Sequence, residues 1–249
     1  MNPTERFTGR AGHYVAGRPS YPNEAIDAIF EGLGDPRALT VVDLGAGTGI
    51  SSRLLADRGA AVLAVEPNVA MRAAAESHPN VEWVDGTAER TTLPEGSADV
   101  VAAFQAFHWF DHTEALREML RVLRPGGRAA VVYNERDESD PFTAAYGEVV
   151  RRYQTDETEL RRHEGRELFV HYKAWHGVRR LAFGNTVAMD RAKIHARANS
   201  TSYLPQSGQA ADDLHECLDA LFDSYAQDGS VGMHMQTLVF LAGAGADGA

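Results

Sequence analysis

From Thr40 onward, short Val-rich apolar runs alternate with stretches in which apolar residues return every three or four positions. The runs at 41–44, 61–66, 81–84, 100–104 and 128–133 have strand length, and their Val-rich centres suit burial on both faces. Between them, residues 51–58 and 70–77 carry helical spacing, the first stopped by Gly59 and the second by His78-Pro79. A helix starting near Thr113 is better marked. Asp111 and Glu114 stand at capping-box spacing, Leu116, Met119, Leu120 and Leu123 form an apolar stripe, and Pro125-Gly126-Gly127 follows as its stop. This alternation predicts an α/β fold with helices on both faces of a mainly parallel, doubly wound sheet.

After Asn134 the pattern becomes polar and charged through about Arg166, which predicts a helix over 141–153 followed by a loop or mobile insert. Residues 178–189 and 235–241 read as two further strands. Between them Leu214, Cys217, Leu218, Leu221, Phe222 and Tyr225 trace the buried face of a helix, and the small-residue tail 242–249 is expected to fray.

Composition narrows the class. A chain of 249 residues, 44% apolar and 24% charged, fills one α/β domain. A formal charge of -11 opposes the positive field that nucleic-acid binding needs. The single cysteine, Cys217, supports neither a disulfide framework nor a cysteine zinc cluster, which fits a cytoplasmic setting. The polar N-terminal stretch lacks the apolar core of a signal peptide, and no apolar run approaches bilayer length, so neither export nor a membrane is expected. His108, Asp111 and His112 have spacing compatible with metal ligation, but Asp111 is already explained as a helix cap, and no metal is expected.

The strongest chemical signal is Asp43-Leu44-Gly45-Ala46-Gly47-Thr48-Gly49, a strand running into a glycine-rich turn and then a helix. Glycines permit positive φ and let a ligand press on the backbone, while an acid at the strand end can hold a cationic amine. The rival reading is a nicotinamide dinucleotide fold, whose fingerprint is G-x-G-x-x-G. Here the spacing is G-x-G-x-G with Ile50 at the third-glycine position, and a pyrophosphate gains nothing from Asp43. Glu66 ends the second predicted strand about twenty residues on, where a carboxylate can accept both hydroxyls of a ribose.

These residues resemble the class I S-adenosylmethionine-dependent methyltransferases over roughly residues 7–133. Asp85-Gly86-Thr87-Ala88-Glu89 with Leu93-Pro94 looks like that family's adenine-side motif, and Leu123-Arg124-Pro125-Gly126-Gly127 like its turn before the fifth strand. Phe7, the run from Tyr14 through Arg18 to Pro22, the run 105–111 and the run 133–137 resemble the branch that includes trans-aconitate methyltransferase-like (type 11) enzymes. The resemblance implies a Rossmann-like seven-stranded sheet with a reversed last hairpin and an N-terminal helical lid over residues 1–39. The methyltransferase domain would then span 40–249, with acceptor-side insertions at about 137–177 and 190–230. It also implies S-adenosyl-L-methionine as cofactor, S-adenosyl-L-homocysteine as product, and a small-molecule acceptor. Tyr14, Arg18, Asp43, Gly45, Ala46, Gly47, Glu66, Pro67, Met71, Thr87, Ala88, Glu89 and Gln105 are the expected cofactor contacts.

Residues that follow the strand ends face the acceptor in folds of this kind. Tyr21, Phe107, Trp109, Tyr133 and Tyr203 are the expected pocket walls. His108, whose reference pKa suits proton removal near neutrality, is the candidate base or orienting group, with Tyr14 and Asn134 beside it. Arg18 and Arg136 favour an acidic or aromatic acceptor. In-line displacement at the sulfonium methyl needs no metal and no covalent enzyme intermediate; alignment supplies the rate. A nicotinamide-dependent oxidoreductase and a non-catalytic adenosylmethionine-binding protein are the alternatives, and a monomer and a homodimer are equally compatible with the sequence.

Overall fold

The computed structural model describes residues 20–245. Its core is one seven-stranded sheet formed by β1 (Thr40–Leu44), β2 (Ala61–Val65), β3 (Val81–Val84), β4 (Ala98–Phe104), β5 (Leu123–Arg136), β6 (Trp175–Met189) and β7 (Val231–Ala244), in the order β3-β2-β1-β4-β5-β7-β6. β1 pairs in parallel with both β2 and β4, β5 joins β4 in parallel, and β7 runs antiparallel between β5 and β6. The chain therefore changes direction across the sheet between β1 and β4, the place where such folds open a crevice at the strands' carboxyl ends. Val41, Val42, Val100 and Val101, paired across that junction, are fully buried, as their Val-rich runs require.

Helices α1 (Asn23–Phe30) and α2 (Ile50–Ala56) cover one face, where Ile26, Ile29 and Leu55 pack with Val41, Val62 and Val100. Helix α4 (His112–Val122) covers the other with Leu116 and Met119, joined by Phe169 and Trp175. The part of the expected N-terminal lid that falls within the described residues thus includes a helix of the sheet layer. Phe7, Tyr14 and Arg18 lie outside the described residues.

Several boundaries differ from the sequence reading. Helix α3 spans only Val69–Ala73 because Met71 is its one buried side chain, leaving no apolar face to hold the further turn expected through residue 77. α4 stops at Val122, and Leu123 already pairs with Ala98, so Pro125-Gly126-Gly127 belongs to the start of β5. The tail expected to fray from 242 is strand through Ala244. Ala242 pairs with Ala129 and Ala244 with Trp175, and both alanines are buried, small side chains being what this crowded layer admits.

The β6–β7 hairpin carries a third apolar cluster in which Met189, Met233 and Met235 meet α5 (Pro141–Tyr153), α7 (Arg191–Ser200) and α8 (Gln209–Tyr225). Leu214, Leu218 and Phe222 supply the buried face of α8, while Cys217 and Leu221 flank it and Tyr225 is exposed. Where a loop or mobile insert was expected, the chain forms helix α6 (Thr158–Val170). Its sequence hides it: only Thr158, Gly165 and Phe169 are buried, and its Glu159 and Arg166 pair with Arg136 and Glu135 of β5. Among the described residues no helix is long and apolar enough to cross a membrane.

Candidate active site

The glycine turn leaves the carboxyl end of β1 with Gly45, Gly47 and Gly49 at φ of 65°, 60° and 77°. Gly45 is required twice over, since a Cβ there would also sit 2.8 Å from the Ala106 Cβ and 3.1 Å from the Phe110 ring. The turn is held from below by Val65, whose carbonyl accepts the Gly45 and Ala46 amides at 2.9 and 3.1 Å. Asp43, fully buried at the end of β1, accepts the Ser51 and Ser52 hydroxyls on Oδ2 at 2.7 and 2.6 Å. Its Oδ1 is buried with no hydrogen-bond partner. Burial pushes the Asp43 carboxyl up to about 6, the two serine hydroxyls pulling it down and the neighbouring Glu66 charge adding to the rise. A buried carboxylate with one oxygen unanswered has the capacity to accept a hydrogen bond from a donor brought to it.

Glu66 stands just beyond β2 and is also buried. Its Oε2 accepts the Gly47 amide at 2.9 Å and its Oε1 the Asn68 amide at 2.8 Å, so one carboxylate braces the turn and starts α3. Burial raises its pKa, opposed by those amides and by Arg72. Each oxygen keeps a second lone pair, which suits hydroxyl donors. Met71 is buried on α3 and Pro67 is half-buried beside it. Thr87 pairs with Arg90 in a tight two-way bridge, and Ala88 is buried in the apolar cluster that includes Val42 and Leu44. The Glu89 carboxylate accepts the Asp111 amide at 2.8 Å. It thereby supplies the reciprocal half of the capping box expected from Glu114, which instead pairs with Arg117.

An open cavity lies over the ends of β1, β4 and β5, and Tyr21, Gly45, Ala46, Gln105, His108, Trp109, Asn134, Arg136 and Tyr203 all line it. Tyr21 stacks edge-on against Phe104 at 5.0 Å, and the His108 ring lies 4.5 Å from that of Trp109. Gln105 takes φ of 52°, a left-handed conformation costing roughly 1–3 kcal/mol for a non-glycine residue, and its amide joins β4 to β5 by donating to the Asn134 carbonyl at 3.1 Å. The Asn134 side chain is engaged at the sheet: its Oδ1 accepts the Thr237 hydroxyl and its Nδ2 donates to the Ser20 carbonyl at 3.3 Å.

Two expected wall residues do not reach the cavity. Phe107 is fully buried, its ring 5.9 Å from Phe110 and 6.1 Å from Phe169, because the 3-10 turn Phe107–Trp109 projects successive side chains about 120° apart and sends this one away from the side that His108 and Trp109 share. Tyr133 is fully buried behind His108, 5.8 Å between rings, with its pKa raised by that burial. Arg136 lines the cavity, yet its guanidinium is paired with Glu159 at 2.5 Å and Glu138 at 3.3 Å. Burial works against its charge, but Glu159 outweighs it and raises the Arg136 pKa.

The sequence reading missed Arg162, Arg197 and the α7 end from Ser200 to Ser202, all of which line the cavity. They fall in the charged stretches 137–177 and 190–230, where no periodic signal separates a wall residue from a solvated one. Among the described residues no group of three His, Cys, Asp or Glu side chains converges as a metal site.

The model of a family described as "Methyltransferase domain" matches residues 42–131, the span from β1 through β5 that carries the glycine turn, Glu66 and His108. An uncharacterized methyltransferase of Mycobacterium tuberculosis is 43% identical over 150 residues, covering 59% of each chain, so this chain spans about three fifths of that relative's length. An uncharacterized methyltransferase-like protein of Schizosaccharomyces pombe is 31% identical over 200 residues, covering 80% of this chain and 78% of its own. Among solved structures, a protein of Anaeromyxobacter dehalogenans described as a candidate type II methyltransferase superposes with a TM-score of 0.70 at 24% identity, covering 92% of this chain and 98% of its own.

Proposed function

Because the chain belongs to the class I S-adenosylmethionine-dependent methyltransferases, we propose that it transfers the sulfonium methyl group to a small molecule seated between His108, Trp109, Tyr21 and Tyr203. The observation that carries this reading is the unanswered Oδ1 of buried Asp43 beside a turn of three left-handed glycines. That pairing fits an ammonium group on a ligand pressed against the backbone. It gives no purchase to a pyrophosphate, which membership in this family also disfavours.

S-adenosylmethionine, when bound, supplies an electrophilic methyl carbon on a sulfonium that leaves as S-adenosylhomocysteine. Asp43 would hold the ligand's ammonium, Glu66 its ribose hydroxyls, Met71 and Ala88 its adenine side, and Gln105 its methionine end. Tyr21, Trp109 and Tyr203 exclude water and leave the acceptor room to attack in line, so that alignment supplies most of the rate. His108 serves acceptors that must lose a proton. A carboxylate acceptor needs no such help.

Incubation with S-adenosylmethionine and separate pools of small carboxylic acids, phenols and amines, read by S-adenosylhomocysteine release, tests the reading. Release with a small-molecule pool, abolished in Asp43→Asn, is expected; methyl incorporation into proteins or nucleic acids alone overturns it. With a phenol or amine acceptor, His108→Ala should lower kcat about 100-fold or more, while a carboxylate acceptor should lose little.

A further inference from the structure

Helix α6 sends Arg162 across to the carboxyl ends of two strands. Its Nη2 donates to Gln105 Oε1 at 2.9 Å and to the Asn134 carbonyl at 3.3 Å, and it pairs with Glu135 at 3.2 Å. The guanidinium carbon lies 5.0 Å above the centre of the Tyr133 ring. Gln105 Nε2 donates to that same Asn134 carbonyl, so three groups close a ring that leaves the Gln105 amide one orientation, oxygen toward the guanidinium and nitrogen toward Asn134. Gln105 needs such a clamp, because it lines the cavity on a left-handed backbone that few non-glycine residues hold unaided.

The charge of Arg162 is answered by Glu135, which also takes Arg166 at 2.6 Å. One carboxylate shared by two guanidiniums leaves a net positive charge, and the Arg162 Nε is buried without a partner, but its Nη2 is committed to the neutral oxygens of Gln105 and Asn134, an arrangement that fixes geometry. We propose that Arg162 is a positioning residue for the transfer: acting through Gln105, it holds the end of β4 in the conformation that receives the methionine end of S-adenosylmethionine. This rests on the functional reading given above. Lysine would keep the charge near Glu135 but lose the planar fork that reaches Gln105 and Asn134 together.

The test uses calorimetric titration with S-adenosylmethionine on the wild type, Arg162→Lys, Gln105→Ala, their double variant and Arg166→Lys, with the Gln105 side-chain amide resonance recorded on ligand-free protein. Arg166 shares the helix and Glu135 but makes no bond to Gln105, so it reports on helix anchoring alone. Arg162→Lys should weaken binding about tenfold, the double variant should be no weaker than Gln105→Ala, and Arg166→Lys should stay within about twofold of wild type. The Gln105 amide resonance should move in Arg162→Lys and stay in Arg166→Lys. Wild-type affinity in Arg162→Lys, additive losses in the double variant, or an equal loss in Arg166→Lys would overturn the positioning role. If the wild type fails to bind S-adenosylmethionine, the functional reading falls instead, and the ligand-free amide resonance still decides whether Arg162 sets Gln105.

Discussion

Asp43 is costly in the ligand-free protein. Its folded pKa of about 6 lies above the ordinary value of 3.8, so the carboxyl favours folding below that ordinary value and the advantage is lost as pH rises through 6. Above pH 6 the cost is about 3 kcal/mol, before any relaxation of the surroundings. Asp43→Asn keeps an oxygen for Ser51 and Ser52, so it should raise the ligand-free melting temperature at pH 7.5 while removing the charge that holds an ammonium. Thermal melts with and without ligand check both halves. Below pH 6, protonation of Asp43 should weaken wild-type cofactor affinity, which titrations between pH 5 and 8 would measure. Asp43 was legible in the sequence because an acid ahead of a glycine turn has few structural uses. Arg162 was not, because its partners Gln105, Asn134 and Glu135 lie 27 to 57 residues away in the chain and meet it only after the sheet closes.

At the scale of elements, α6 lends Thr158 and Arg162 to the wall of the cavity. Gly165 allows its close approach to the Phe107 turn: a Cβ there would fall 2.8 Å from His112 Nε2 and 3.3 Å from the Phe107 ring. Alanine is ordinarily the better helix former by about 1 kcal/mol. Gly165→Ala should nonetheless destabilise the protein by about 1–2 kcal/mol, since the His112 ring is already stacked at 5.1 Å on Phe107. A melting temperature that rises instead would mean that the helix is not packed there. The strands β1, β2, β4 and β5 were readable because Val-rich runs buried in the sheet leave a pattern, whereas β3, at the sheet edge, is only half-buried with Glu82 exposed. α6 left none, since a glycine at its seat and arginines paired with β5 replace the apolar stripe by which helices are usually found. The Phe107–Trp109 turn shows the same limit more finely: three neighbouring ring-bearing side chains all read as pocket, and only folding divided Phe107 from His108 and Trp109.

Across the whole molecule, two buried acids set opposite pH responses. Glu118 on α4 accepts the Thr91 amide and hydroxyl at 2.8 and 2.6 Å and pairs with Arg121 at 2.7 Å. Arg121 first, then Thr91, outweigh its burial and hold its pKa down at about 2, against an ordinary value of 4.5. Its stabilisation is therefore present above pH 4.5 and lost as pH falls toward 2, the reverse of Asp43. Glu118→Gln should cost about 2 kcal/mol near neutrality and almost nothing at the acid end, a convergence that denaturant melts at several pH values would display. The fold thus satisfies Glu118 fully behind the site and leaves the buried Asp43 carboxylate at the end of β1 with one oxygen unmet.

That unmet need is the most direct handle on the function. Calorimetric titration with S-adenosylmethionine at pH 7.5, on the wild type and on Asp43→Asn, should give saturable one-to-one binding weakened about 100-fold or more in the variant, although the variant melts higher when ligand-free. No binding by the wild type, or equal affinity in Asp43→Asn, would contradict the account.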